Sequence, residues 1–196
     1  GRVQRVMRQH PDEDTERQLQ AVRNQVFRLS TLVRQLQAFA YTPVAQRQPV
    51  SVAGLLQQAI HSLSFELQAE DPQPQLQQPC PAVTLYGDAA RLELALVNLL
   101  RNAVQAANSS VAVQVEATTS EVVISVLDDG AGLPAQFSTE QLLSPFVSTK
   151  AQGRGTGLGL AIVQQIVLEH QGQLSLSNRP GGGGCVRITL PLEAKV

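Results

Sequence analysis

Apolar residues between positions 14 and 41 recur at alternating steps of three and four: Leu19, Val22, Val26, Leu29, Val33, Leu36 and Ala40. A mean step of three and a half keeps one helix seam facing a partner, so the pattern predicts a coiled-coil-like helix. Phe27, Leu32 and Phe39 widen the stripe to the breadth of a four-helix bundle, and Gln and Arg fill the remaining face. Residues 2–9, with Val3, Val6 and Met7 on one side, read as the end of a preceding helix broken at His10-Pro11. Asp12, Glu13 and Asp14 then place negative charge at the positive end of the long helix. One helix and the stub of another leave the bundle to be completed by a second chain. The alternative use of the stripe is an ordinary surface helix on its own domain.

Thr42-Pro43 to Pro49 is a polar, proline-bearing boundary, and it divides the chain into residues 1–46 and 47–196. Residues 52–67 are expected to be helical, with Leu55, Leu56, Ile60, Leu63 and Leu67 along one side. A Gln- and Pro-rich loop over 68–81 leads to a short strand at Val83, Leu85 and Tyr86, ending at Gly87-Asp88. Asp88 is placed to cap a helix over 91–107, which is apolar almost all round and so predicted to be buried. Residues 111–117 and 121–127 alternate as two antiparallel strands around Thr118-Thr119-Ser120. A short helix over 136–143 follows. A glycine run then enters an apolar helix that begins at Leu158 and runs to His170. Strands at 173–177 and 186–191 flank a Gly-rich hairpin at 178–184.

Composition narrows the function classes. Hydrophobic residues make up 43% of the 196 positions and charged residues 16%, which suits one packed domain with an appendage. A net charge of −1 gives no long-range attraction to nucleic acid. Cys80 and Cys185 are far apart and lack metal-ligand spacing, so a reduced, cytoplasmic chain without a disulfide is expected. No apolar run reaches the roughly eighteen residues of a membrane span. The opening Gly1-Arg2 is read as a cut from a longer protein, one that inner-membrane anchoring would still suit.

The chemistry concentrates in four places. Gly153, Gly155, Gly157 and Gly159 alternate just before a helix start, where backbone N–H groups and the helix dipole favour an anion. The spacing fits neither a Walker A loop nor a dinucleotide fingerprint. Asn98 and Asn102 share one face of a buried helix; they serve either as caps on neighbouring backbone or as a magnesium and phosphate face. Asp128-Asp129-Gly130-Ala131-Gly132 is either a plain turn or a carboxylate that accepts from a ligand's exocyclic amine. Lys150 and Arg154 are the cations beside the glycine run, suited to a triphosphate and equally to an exposed loop. His61 and His170 read as isolated surface or helix-end residues.

Taken in order, Asn98-Leu-Leu-Arg-Asn102-Ala, Asp128-Asp-Gly130-Ala-Gly132, Pro145-Phe146-Val-Ser-Thr-Lys150 and Gly153-Arg-Gly155-Thr-Gly157-Leu-Gly159 resemble the N, G1, F and G2 boxes of bacterial sensor histidine kinases. The wording is most similar to the nitrogen-regulation and C4-dicarboxylate sensor subgroup. The resemblance covers 47–196 as a catalytic ATP-binding domain of Bergerat type. It implies an α+β sandwich: a mixed sheet of about five strands with helices on one face, preceded by the second helix of a dimerisation and phosphotransfer hairpin. It implies ATP and Mg²⁺ as cofactors, a response-regulator receiver domain and a second copy of the chain as partners, and no nucleic acid. Asn98 and Asn102 would meet Mg²⁺ and phosphates, and with Lys150 they form the implied catalytic set. Asp128 would take the adenine amine in a pocket shaped by Gly130 and Gly132. Phe146, Lys150 and Arg154 would lie on the lid, while Gly155, Thr156, Gly157, Leu158 and Gly159 would hold phosphate.

Two departures stand out. Gln105 occupies a place where many of these kinases carry Lys or Arg, which leaves that phosphate contact unassigned. Nothing matches the His-Glu/Asp-Leu-x-x-Pro acceptor box, and His10 is followed at once by Pro11. The expectation is a chain that binds ATP without phosphorylating itself. A hydrolytic Bergerat ATPase would need a carboxylate where Asn98 stands, and Glu93 lies well round the helix from it. An anti-sigma-like nucleotide-binding regulator is the non-enzymatic alternative.

Overall fold

The computed structural model describes Gln18, Val22 and residues 46–148 and 156–192. The chain divides into two compact units, Gly1–Tyr41 and Thr42–Val196. Of the expected seam helix, Gln18 and Val22 are described, and both are helical. The rest of that helix and the stub before it lie outside the described residues.

Within the second unit the elements run β1 (Gln48–Ser51), α1 (Val52–Ser64), β2 (Gln75–Leu76), β3 (Thr84–Gly87), α2 (Ala89–Ala106), β4 (Val111–Ala117), β5 (Glu121–Asp128), α3 (Thr139–Leu143), α4 (Gly159–Glu169), β6 (Gln173–Asn178) and β7 (Gly184–Pro191). Five strands form a mixed sheet in the order β2-β4-β5-β7-β6, with β2 parallel to β4 and the other pairs antiparallel. The register explains the alternation. Val115, Ile124, Ile188 and Leu174 stand in one row across four strands, and Gln114, Ser125, Arg187 and Ser175 form the neighbouring row on the opposite face. Val115, Ile124 and Ile188 are buried, whereas Gln114, Arg187 and Ser175 are exposed. A sheet with one apolar face must cover it. Here α2 packs on β4 and β5 and is flanked by α1 and α4, giving two layers. The central position of α2 accounts for its near-complete burial, from Leu92 to Val104.

Three details depart from the sequence expectation. Strand β2 lies within the stretch 68–81 expected to be a loop, and it pairs with β4 at the edge of the main sheet. The first helix stops at Ser64 rather than 67, with the Ser64 hydroxyl donating to the His61 carbonyl at 2.7 Å. Such a bond competes with continuation of the helix. Part of the polar boundary is a strand: β1 pairs antiparallel with β3 in a separate two-stranded sheet, Val50 opposite Leu85. Pro49 is tolerated there because an edge strand does not need every N–H.

Candidate functional site

Helix α2 starts where Asp88 accepts from the Arg91 N–H through Oδ1 at 3.2 Å, the expected cap. It carries Asn98, which is 2% exposed, and one turn later Asn102, which is half-buried. Asn98 Nδ2 donates to the Leu94 carbonyl at 2.8 Å, and its Oδ1 accepts from Nη1 of Arg101 at 3.3 Å. These bonds distinguish the two ends of the amide, because a flipped group would set donor against donor and acceptor against acceptor. The capping reading thus describes the nitrogen of Asn98. Its oxygen lies toward α4.

The first residue of α4 meets these amides. A Cβ added at Gly159 would fall 3.2 Å from Asn102 Nδ2 and 3.7 Å from Asn98 Oδ1, so glycine lets the helix start lie against them. Leu158 is the N-cap of α4. Its side chain is buried in the core, its N–H goes to Thr156 Oγ1 at 3.2 Å, and no side chain caps the helix. By contrast α1, α2 and α3 are capped by Ser51, Asp88 and Ser138. An uncapped first turn presents backbone N–H groups and the positive end of the dipole beside Asn98 and Asn102, where they favour an anion. Just upstream, the Gly157 carbonyl accepts from the Phe146 N–H at 2.9 Å. Phe146 itself is 70% exposed.

At the end of β5, Asp128 is buried. Its Oδ1 accepts from the N–H groups of Gly130 at 2.9 Å and Gly184 at 3.1 Å. Both hydrogen bonds to this carboxylate from described residues fall on Oδ1, which leaves Oδ2 to accept from a ligand. Arg179 Nη1 donates to the Asp128 carbonyl at 2.6 Å. Gly132 lies beside Asn178, whose Oδ1 accepts from the Leu133 N–H at 2.6 Å. The β6–β7 hairpin therefore clamps the loop after β5. Its neighbour Asp129 does different work: it accepts from the hydroxyl of Ser109 and the backbone N–H groups of Asn108, Ser109 and Ser110. Those donors, the Ser109 hydroxyl first, hold its carboxyl well below the usual range.

The described residues bring Asn98 and Asn102 against Gly159, Phe146 against Gly157, and Asp128 against Gly130. Lys150, Arg154 and Gly155 lie outside them. Sequence reading passed over Arg101 with its partner Glu66, and Asn178 with Arg179. It also treated His170 as isolated, although that ring is buried and spans two elements. His170 Nδ1 donates to the Ile166 carbonyl at 2.7 Å, and Nε2 accepts from the Asp88 N–H at 2.9 Å, which together require the neutral ring. Burial is the main reason its pKa is lowered. Nearby, Arg91 Nη2 approaches Glu169 Oε2 at 2.6 Å as an ion pair, but no N–H of Nη2 or Nε points along a hydrogen bond. None of these partners is near in sequence, apart from the Ile166 carbonyl, so spacing carried no signal of them. The Gly-rich turn beside Asn178 and Arg179 was the one available hint.

Residues 87–194 match the family described as histidine kinase-, DNA gyrase B-, and HSP90-like ATPase. Sporulation kinase C of Bacillus subtilis is 37% identical over 112 residues, 56% of this chain and 26% of that protein. Nitrogen regulation protein NtrY of Azorhizobium caulinodans is 32% identical over 180 residues, covering 86% of this chain and 22% of the relative. The chain spans about a quarter of the length of these curated relatives. Among solved structures, full-length ShkA in complex with AMPPNP superimposes with a TM-score of 0.75 at 25% identity, covering 93% of this chain and 40% of that one.

Proposed function

We infer, because this chain belongs to the histidine kinase-, DNA gyrase B- and HSP90-like ATPase family, that its ATP-binding domain is the catalytic portion of a sensor histidine kinase. In the whole protein the γ-phosphoryl of ATP passes to a histidine and then to an aspartate of a response-regulator receiver domain. A second copy of the chain completes the helical hairpin of residues 1–46. The observation that carries this reading is the meeting of the uncapped α4 start with Asn98 and Asn102. Phosphates suit the free N–H groups of α4. Two amides supply few ligands for Mg²⁺, which commonly keeps phosphate and water as the others, so the residues present fit that ion. When bound, the ion neutralises charge on the transferring group. Asp128 takes the adenine amine through Oδ2, and Lys150 and Arg154 add positive charge from the lid.

Transfer is favoured over hydrolysis by the placement of Glu93. Its carboxylate accepts from Ser62 at 2.7 Å and Gln58 at 3.1 Å, which turns it onto α1. Asn98 holds the position from which a water-orienting carboxylate would act.

The test is calorimetric binding of AMPPNP with Mg²⁺ to this chain and to Asp128→Ala, followed by incubation with γ-labelled ATP. Binding lost in the variant, with label transferred only to an added hairpin helix that carries a His-Glu-Leu-x-x-Pro box, is expected. Label on the chain itself would restore His10 as a candidate acceptor. Absence of binding would leave a regulator of the same fold.

A further inference from the structure

Arg101 stands beside the amide face, three residues after Asn98 and one before Asn102. Its Nε and Nη2 donate to the two carboxylate oxygens of Glu66, each at 2.8 Å, and Nη1 donates to Asn98 Oδ1 at 3.3 Å. The paired bonds to Glu66 fix the plane of the guanidinium, so the third group is aimed. The two side chains are 19% and 17% exposed, so water screens this pair less than a surface pair. Leu94 holds the other end of the same amide.

We propose that Arg101, locked by Glu66, is a positioning residue that keeps the Asn98 carboxamide turned with its oxygen toward the metal and phosphate face. This rests on the reading of Asn98 as part of that face. Two restraints of opposite sense leave the amide one orientation, as outer-shell partners do for groups that meet a metal. Glu66 has a second effect. It balances a positive charge that would otherwise oppose a divalent cation at the amide oxygen.

The test uses the whole 196-residue chain. Glu66→Gln combined with Arg101→Ala removes the clamp without leaving a lone carboxylate beside the cation. Mg²⁺ is titrated against AMPPNP binding, and AMPPNP binding in EDTA is measured separately, with a thermal melt to establish folding. The Mg²⁺ concentration at half-saturation is expected to rise about tenfold, the size of a lost outer-shell contact, while affinity in EDTA stays within about twofold. Arg101→Lys keeps the charge without the fork and is expected to behave like the double variant. An unchanged Mg²⁺ midpoint, an equal loss with and without Mg²⁺, or full recovery by Lys would each overturn the clamp. Asn98→Ala run alongside separates the layers: a shift there but not in the double variant overturns the clamp alone. A shift in neither overturns the reading of the amide face as well.

Discussion

The Phe146 N–H reaches the Gly157 carbonyl at 2.9 Å while the two residues hold φ of +67° and +66°. Left-handed backbone is costly for an aromatic residue and persists only where its surroundings impose it. A Cβ at Gly157 would come within 2.6 Å of the Phe146 Cα and 2.7 Å of the Val147 nitrogen. The segment at Phe146 and the later half of the glycine run, at Gly157, are thereby joined backbone to backbone.

Gly157→Ala is expected to destabilise the domain by about 1–3 kcal/mol through strain at this pair, and to weaken AMPPNP binding. Gly54→Ala, inside α1 with ordinary contact distances around the new methyl, serves as the comparison and is expected to be neutral or stabilising by about 0.4–1 kcal/mol. Denaturant melts and calorimetry on both variants check this.

On the proposed reading of Asp128, Asp128→Asn keeps the size of the side chain but can turn an amide N–H toward the adenine base. Affinity for ATP analogues is expected to fall about ten- to hundredfold, the value of one hydrogen bond to a charged group. The preference for adenine over guanine should narrow, since guanine presents a carbonyl where adenine has an amine. Parallel titrations with adenine and guanine nucleotides measure the ratio.

His170 makes stability depend on pH. Its folded pKa is lowered, so the folded state binds fewer protons than the unfolded state, and the contribution is present in full above pH of about 6.5. It is lost as the pH falls from there through the lowered folded value, when a proton on Nε2 would face the Asp88 N–H. Asp88 and Glu169 favour the charged ring and Arg47 opposes it, with burial deciding the direction. His170→Gln can keep both hydrogen bonds and is expected to flatten the stability profile between pH 7 and 5. Thermal melts across that range are the measurement.

Asp129 pins the turn between α2 and β4 from the surface. Its folded pKa is lowered, so this contribution is present above about pH 4 and is lost as the pH falls through the folded value. Asp129→Asn is expected to speed amide exchange at Ser109 and Ser110 at neutral pH. Hydrogen exchange resolved by residue would show it.

Much of this domain was legible as local pattern. Alternation over 111–127 named two strands because side chains on a strand alternate faces, and the apolar girth of α2 announced its burial. Asn98, Asp128 and Gly159 were legible too, as boxes in order. Strand β1 was not, because Val50 is alone in its apolar character between Pro49 and Ser51, and pairing with β3 supplied what local preference lacked. His170 escaped notice because its Asp88 partner lies 82 residues away.

By itself the sequence determined the succession of helices and strands, β1 and β2 excepted, and the residue types that could meet a nucleotide. Those depend on backbone periodicity and on what glycine, asparagine and aspartate can do, which neighbours in the chain reveal. Tertiary structure decided that the Asn98 oxygen lies toward the start of α4, which of two adjacent aspartates is buried, and that Arg101 answers to Glu66. The aspartate and Arg101 choices rest on hydrogen bonds across 20 to 56 residues of chain, made when packing brings remote donors and acceptors together and excludes the water that would otherwise satisfy them. The amide is turned by neighbours on its own helix, one of them aimed by Glu66.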